Sequence, residues 1–178
     1  MKFIKTSIEG LIILEPEVYT DRRGLFFESF SEKKFIENEI PFHFVQDNQS
    51  NSSNNVLRGL HYQKAPFEQG KLVRVVKGAV LDVAVDIRTD SPTFGKHFVD
   101  ELSEKNCRML WIPPGFAHGF LALEDDTVFL YKCTAYYNKE AEAGIRYDDP
   151  TLNIQWNISD PVVSEKDQAL PFFTEIKF

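Results

Sequence analysis

KLVRVVK (residues 71–77) and LDVAVDIR (residues 81–88) are the two stretches that decide the fold class of this chain. The first is rich in β-branched residues and ends at Gly78, where a turn is expected. The second alternates apolar with mostly polar positions, which is the pattern of a strand with one buried face. A third stretch, VFLYKCT (residues 128–134), has the same character. Many short segments of this kind between turn residues predict an all-β sandwich or barrel.

Two short helices and one loop are expected around these strands. The first helix covers residues 32–39 with Ser31 as its N-cap, and the second opens at residues 165–167 after the cap Ser164. The polar stretch 48–55 is expected to be a loop rather than a domain linker, because strand-like sequence resumes directly after it. The sequence has no internal repeat and no low-complexity tract, so residues 1–178 are expected to form a single domain.

Composition and charge exclude several classes of function. The chain is 43% hydrophobic and 26% charged, has a net charge of −7 and lacks a long run of Lys or Arg, so no nucleic-acid partner is expected. It has no apolar signal core near its start and no stretch able to span a bilayer, so no membrane partner is expected. Cys107 and Cys133 lack the spacing of a zinc or redox motif. Two free buried thiols are expected, which favours the cytoplasm.

Two of the four histidines stand in unusual surroundings. His61 lies in strand-like sequence, and His118 follows the sequence PPGFA, in which Pro and Gly force a turn before a strand. The spacing Pro-x-Gly-x-x-His is similar to the second half of the cupin metal-binding pattern. The first half would supply two histidines and a carboxylate, whereas this chain has His61, Gln63 and Glu68 at those positions. Because a neutral amide is a poor substitute for imidazole, we expect a cupin architecture without a metal centre.

An imidazole without a metal is suited to acid–base chemistry, since its ordinary pKa of about 6.5 lies near neutrality. Arg58, on the same expected strand as His61, and Lys71, on the next one, would place cations beside such a base. In a regular strand, Arg58 and His61 would face opposite sides. Gly59 between them is a position at which a β-bulge would turn both side chains inward.

Eight blocks of sequence, spread over nearly the whole chain, carry a resemblance to a known family. In chain order they are DxRGxFxE (21–28), QDN (46–48), LRGLHYQ (57–63), KLVR (71–74), IPxGFAHGF (112–120), YKCT (131–134), GIRYDDP (144–150) and SEKD (164–167). In this order and over this length, they resemble the dTDP-4-dehydrorhamnose 3,5-epimerase family. Two departures are visible, because residues 49–51 read QSN where the family has His-Ser and a basic residue, and Tyr147 replaces a usual Trp.

The resemblance implies a fold, a substrate and a reaction. The fold is a cupin-type jelly-roll β-sandwich with a few short peripheral helices, and it acts as a homodimer without a metal or an organic cofactor. The substrate is dTDP-4-keto-6-deoxyglucose, a nucleotide sugar that is inverted at C3 and C5 on the way to L-rhamnose. Both carbons flank the C4 ketone, so removal of either proton gives an enolate that can be reprotonated on the other face.

The resemblance also assigns catalytic roles. His61 would be the base, and Asp167 would bind its far nitrogen and stabilise the imidazolium. Lys71, helped by Arg58, would stabilise the enolate oxygen. Tyr131 would return the proton at the opposite face of the sugar.

Further matches imply contacts with the nucleotide sugar. Besides Arg58 and Lys71, these binding residues are Arg23, Glu28, Gln46, Asp47, Asn48, His118, Glu142 and Lys166. Tyr137 matches an aromatic residue that stacks on thymine, and its neighbour Tyr136 could compete for that role.

Three other interpretations stay open at this stage. A relative that inverts only C3, or one that isomerises the ketone between C3 and C4, would share the scaffold and most binding residues. The presence of both His61 and Tyr131 favours epimerisation over ketoisomerisation, but it does not count the centres that are inverted. A non-catalytic cupin that only binds a sugar nucleotide would not need a base, an orienting acid, a cation and a proton donor together.

Overall fold

A computed structural model describes residues 1–40 and 43–177, and its strands, numbered in chain order, form two sheets and one separate hairpin. The first sheet has the spatial order β1 (Lys2–Lys5), β2 (Ile12–Glu15), β10 (Met109–Ile112), β7 (Lys71–Lys77), β12 (Thr127–Cys133) and β5 (Gln46–Ser52). The second has the order β13 (Glu142–Gly144), β6 (Val56–Gln63), β11 (Phe116–Ala122), β8 (Ala79–Asp86) and β9 (His97–Ser103), with β14 (Val162–Val163) parallel to the start of β6. The hairpin pairs β3 (Tyr19–Asp21) with β4 (Gly24–Phe26).

The main core lies between the two sheets and is built from alternate residues of the facing strands. Val73 of β7 and Phe129 of β12 come from the first sheet, and Ala84 of β8 and Phe120 of β11 come from the second. Phe129 is fully buried and stacks on Phe120 with ring centroids 4.2 Å apart. Full burial of a side chain of this size contributes about 1.5–3 kcal/mol, so the interior between the sheets holds them face to face. The predicted all-β sandwich is confirmed.

Helices are few and short, as expected. They are α1 (Glu32–Glu37), α2 (Glu165–Gln168) and a 3₁₀ turn at Phe173–Glu175. Ser164 caps α2 by accepting a hydrogen bond from the backbone N–H of Asp167 at 3.1 Å, as its position predicted. Helix α1 ends two residues before the predicted boundary, and its N-cap Ser31 makes no side-chain capping bond. Within the described residues, no helix has the length and apolarity needed to cross a bilayer.

Two expectations from the sequence are wrong. The predicted loop 48–55 is mostly strand, because residues 46–52 form β5 and pair along the whole of β12. The polar composition reflects the place of β5 at a sheet edge, where backbone pairing overrides low β-propensity. Strand β8 was expected to have one exposed face, but both are buried. Its second face packs against Ile145, Leu152 and Trp156, which come from distant, non-strand parts of the chain.

Candidate functional site

A β-bulge in β6 shapes the candidate site. His61 is the cross-strand partner of His118, and Arg58 is the partner of Phe120, so Gly59 and Leu60 together lie opposite Gly119 alone. Gly59 has a φ of +121°, and a Cβ there would lie 2.6 Å from the Cα of Gly119. Only glycine fits this conformation and this close approach. The extra residue turns Arg58 and His61 toward one cavity, which confirms the predicted bulge.

The cavity lies between the two sheets and has a volume of about 520 Å³. Seven of the predicted site residues line it, namely Arg58, His61, Lys71, His118, Tyr131, Lys166 and Asp167. A second compartment of about 290 Å³ is lined by Gln46, Asn48, Tyr137 and Glu142 together with His61, Lys71 and Tyr131. The three shared side chains make the two compartments one continuous cleft, which is called the cleft below.

The His61–Asp167 pair lies on one wall of the cleft. Nε2 of His61 lies 2.7 Å from Oδ1 of Asp167, and Oδ2 of Asp167 accepts the Gly59 N–H at 3.1 Å. Burial opposes ionisation of Asp167, but the hydrogen bonds from His61 and Gly59 outweigh it and hold the pKa of this carboxyl below its ordinary value. An ionised Asp167 fixes the proton of a neutral His61 on Nε2. Nδ1 then keeps the lone pair that a base needs.

The opposite wall belongs to the other sheet and carries Tyr131 and Lys71. Tyr131 lies on β12, and burial is the main cause that raises the pKa of its phenol. The hydroxyl therefore keeps its proton at neutral pH and can act as an acid. Lys71 is only 8% exposed, and its Nζ lies 3.4 Å from the backbone oxygen of His61. Burial lowers the pKa of Lys71, while the nearby Cys133 and Asp82 favour its charged form.

A second histidine–aspartate pair lies beside the first. His118 is buried, and its Nε2 lies 2.8 Å from Oδ2 of the fully buried Asp82. Because His118 and His61 are direct cross-strand partners, both imidazoles face the cleft from the same sheet. Sequence reasoning missed Asp82. A carboxylate between the apolar residues of a buried strand is nevertheless a recognisable sign of a partnered charge.

The mouth of the cleft is held by a chain of polar contacts. The Tyr137 hydroxyl donates to Oε2 of Glu142 at 2.8 Å, and Nζ of Lys166 lies 2.6 Å from the other oxygen of Glu142. The hydrogen bond from Lys166 is the main cause that holds the pKa of Glu142 below its ordinary value. The Tyr137 N–H donates to Oε1 of Gln46 at 2.9 Å. Tyr137 lines the cleft, whereas the more exposed Tyr136 is absent from the described lining.

Three predicted binding residues lie outside the cleft of a single chain. Arg23 is paired with Asp21 at 2.6 Å on the exposed β3–β4 hairpin, and Glu28 is paired with Lys34 at 2.7 Å. Asp47 binds Lys132 at 3.0 Å. It alternates along β5 with Gln46 and Asn48, which face the cleft, so its own side chain points to the other side of the sheet.

Gln63, at one of the cupin metal positions, is engaged in other contacts. The amide oxygen of Gln63 accepts the Asn138 N–H at 2.6 Å, and its amide nitrogen donates to the Phe67 oxygen at 2.6 Å. Within residues 1–40 and 43–177, no three His, Cys, Asp or Glu side chains group as a metal-ligand set. Independence from metal stays a prediction of the sequence.

We expect activity to survive exhaustive treatment with EDTA, because the cupin pattern lacks its second paired imidazole and Gln63, which stands in its place, is used elsewhere. The measurement is turnover before and after chelation, together with elemental analysis of the untreated protein. A stoichiometric metal whose removal abolishes turnover, and whose return restores it, contradicts this expectation.

Comparison with known proteins gives concordant matches over nearly the whole chain. A family model described as dTDP-4-dehydrorhamnose 3,5-epimerase matches residues 5–175. A protein of that description from Methanothermobacter thermautotrophicus is 52% identical over 170 residues, which cover 94% of this chain and 91% of that protein.

Solved structures agree with the sequence matches. A dTDP-6-deoxy-D-glucose-3,5-epimerase from Legionella pneumophila, in complex with dTDP-4-keto-L-rhamnose, superposes with a TM-score of 0.95 at 50% identity and covers 99% of this chain and 94% of its own. A 3'-monoepimerase from Streptomyces bikiniensis, in complex with dTDP-quinovose, superposes with a TM-score of 0.90 at 32% identity and covers 96% and 87%. The same scaffold therefore occurs in relatives described as acting at both centres and in one described as acting at a single centre.

Proposed function

This chain belongs to the dTDP-4-dehydrorhamnose 3,5-epimerase family, and we propose from that premise that it inverts C3 and C5 of dTDP-4-keto-6-deoxyglucose to give dTDP-4-keto-L-rhamnose. One observation carries the proposal. A histidine oriented by a buried aspartate stands on one sheet, and a protonated tyrosine stands on the facing sheet across the same cleft. An inversion needs these two groups, one to remove a proton and one to supply a proton from the other side.

The first half of each inversion is proton removal. Nδ1 of His61 takes the proton from C5 or C3, and Asp167 stabilises the imidazolium that forms. The electron pair of the C–H bond moves into the ring and places negative charge on the C4 oxygen. Lys71 and Arg58 are the cations that stabilise this enolate. A donor aimed at such an oxygen contributes about 2.7–4 kcal/mol to lowering the barrier.

The second half is reprotonation from the other side. The Tyr131 hydroxyl gives its proton to the same carbon at the face opposite His61, and the enolate collapses to the ketone. The proton lost by the sugar then resides on His61, and Tyr131 is a phenolate. Transfer of a proton from the imidazolium to the phenolate, directly or through water, returns both groups to their starting states.

Substrate binding uses the rest of the cleft. Lys166 and Arg58 supply positive charge for the diphosphate, while Tyr137 at the mouth offers a ring face to the thymine. Gln46, Asn48, His118 and Glu142 complete the polar lining that holds the sugar nucleotide.

The proposed function requires a homodimer, because two of the binding residues lie outside the cleft of their own chain. Arg23 and Glu28 are absent from the described lining of their own chain's cleft, and the β3–β4 hairpin exposes Leu25 at 56% and Phe26 at 71%. Apolar side chains of this size on an unpaired hairpin are typical of an interface. In a dimer, the hairpin and the residues directly after it deliver Arg23 and Glu28 to the nucleotide bound by the other copy.

Two coarser properties accompany this function. The residues that line the cleft of one chain come from elements between β5 and α2, which supports residues 1–178 acting as a single domain. Cys107 and Cys133 are buried and unpaired, which suits the reducing cytoplasm.

Proton NMR in deuterated water tests the proposal directly. With dTDP-4-keto-6-deoxyglucose and the purified protein, deuterium is expected at both C3 and C5, together with the L-rhamno product. Label at C3 alone assigns a one-centre epimerase, a 3-keto product assigns a ketoisomerase, and binding without exchange assigns a non-catalytic protein.

Replacing Tyr137 by Ala is expected to raise KM by an amount worth about 1–3 kcal/mol while kcat changes little, because ring stacking on a base is of that size. Steady-state kinetics measure the effect, and Tyr136→Ala is the matched control because its side chain is more exposed. If Tyr136→Ala raises KM and Tyr137→Ala does not, the stacking residue is Tyr136.

A further inference from the structure

Two carboxyl groups meet in the core outside the His61–Asp167 pair. Asp82 on β8 and Asp100 on β9 are direct cross-strand partners. The residues two positions from Asp82, Val80 and Ala84, face the core between the sheets, and so does Leu102, two positions from Asp100. Both aspartates therefore point to the same face, where opposite residues have Cβ atoms about 4.5–5.5 Å apart.

Each of these carboxyl groups has one oxygen in contact with a partner and one without. Oδ2 of Asp82 contacts His118, while Oδ1 of Asp100 accepts the Glu101 N–H at 3.0 Å and lies 3.4 Å from Arg108. Oδ1 of Asp82 and Oδ2 of Asp100 are buried and have no hydrogen-bond partner among the described residues. Buried polar atoms are rarely left in this state, so two of them on facing carboxyl groups need a common explanation.

The charges around the pair do not balance if both groups are ionised. Lys71 is the cation that acts on Asp82, and Arg108 is the cation that acts on Asp100. Arg108 also binds Glu15 at 2.9 Å. If both groups were ionised, the three carboxylates of Asp82, Asp100 and Glu15 would share only the two cations of Lys71 and Arg108. The pKa of Asp100 is raised above its ordinary value, mainly by burial. The charge of Asp82 raises this pKa further, while Arg108 and the Glu101 N–H act in the opposite direction.

We propose that Asp82 and Asp100 share one proton at neutral pH, through an O–H···O hydrogen bond between their two facing oxygens. The pair then carries a single negative charge. That charge fixes the proton of His118 on Nε2 and leaves His118 neutral, with Nδ1 as an acceptor for a sugar hydroxyl in the cleft. Two ionised carboxylates would instead draw a second proton onto His118. Its Nδ1 would then be a donor rather than an acceptor. The role at the sugar rests on the proposed function, and Asp100 is a positioning residue that acts through Asp82 and His118.

Infrared and NMR spectroscopy of the full-length protein test the shared proton without any substrate, so the result is independent of whether the epimerase function holds. At pH 7, wild type is expected to show the C=O stretching band of a protonated carboxyl group. Asp100→Asn should lose the band, because the amide can donate to Asp82 in place of the shared proton. Glu101→Gln, at the exposed neighbouring position, should keep it. No such band in wild type, or a band that Asp100→Asn retains, overturns the proposal.

Nitrogen-15 NMR of labelled histidine supplies the second readout. His118 is expected to carry its proton on Nε2 alone at pH 7, and a doubly protonated His118 overturns the proposal. Stability gives the third readout. A carboxyl with a raised folded-state pKa contributes stability below its unfolded pKa of about 3.9 and loses it as pH rises through the folded pKa. Wild type should therefore lose stability relative to Asp100→Asn as pH is raised above about 4. A difference that is independent of pH contradicts the shared proton.

Discussion

Replacing His61 by Asn is expected to lower kcat by at least ~10³-fold while the fold persists. The reason is that no neighbouring group can stand in for the imidazole. Lys71 is buried on the facing sheet, and His118 is held by Asp82. The His61 side chain is 35% exposed, so its removal costs little packing. Steady-state kinetics measure the loss, and thermal unfolding checks the fold.

Two further variants show whether the loss of kcat is specific to the His61–Asp167 pair. His97→Asn on β9 is the matched control and is expected to keep wild-type kcat, because His97 is absent from the described lining of the cleft. Asp167→Asn keeps the shape of the side chain but removes the charge that stabilises the imidazolium, so kcat should fall there too. A His61→Asn enzyme with nearly normal kcat would remove His61 from the mechanism.

Tyr131→Phe is expected to separate the two halves of the reaction. His61 can still remove a proton and return one to the same face, so in deuterated water the substrate should acquire label at C5, at C3 or at both. Inverted product should be nearly absent, because the hydroxyl that supplies the other face is gone. The Phe ring preserves volume, and Tyr131 packs at the edge of the main core, so the fold should hold. Proton NMR follows exchange and inversion in the same sample.

The other outcomes for this variant are equally specific. Loss of both exchange and inversion means that Tyr131 also positions the sugar, and its hydroxyl is then needed before proton removal. Full inversion at the wild-type rate means that water or another residue is the acid. In that case Tyr131 leaves the list of catalytic residues.

Local patterns in the sequence predict most of the strands and the site residues on them. Strand β7 has the predicted bounds, and the bulge at Gly59 follows from the need to turn Arg58 and His61 to one side. Strand β5 was missed because Asn, Asp and Ser are typical of loops, while its pairing with β12 depends on residues some 80 positions away. The buried outer face of β8 was missed for the same reason, since Ile145, Leu152 and Trp156 cover it.

The site shows the same division between local and distant information. The matched motifs placed His61, Lys71, Tyr131 and Asp167 in one cleft, and the structure brings them together. The Asp82–Asp100 pair was missed because each residue sits in an ordinary alternating strand. Their meeting depends on the register between β8 and β9, which the composition of neither strand reveals.

Because α2 docks on β6, the His61–Asp167 pair can form only late in synthesis of the enzyme. Asp167 comes 106 residues after His61, and α2, which carries it, follows the strand β14 that pairs with the start of β6. At elongation rates of roughly 5–20 residues per second, a ribosome needs roughly 5–20 s to travel between the two. During that interval, the nascent chain contains His61 but not its counter-charge. A translation product that stops before residue 164 would contain β1 to β14 and still lack the carboxylate that orients His61.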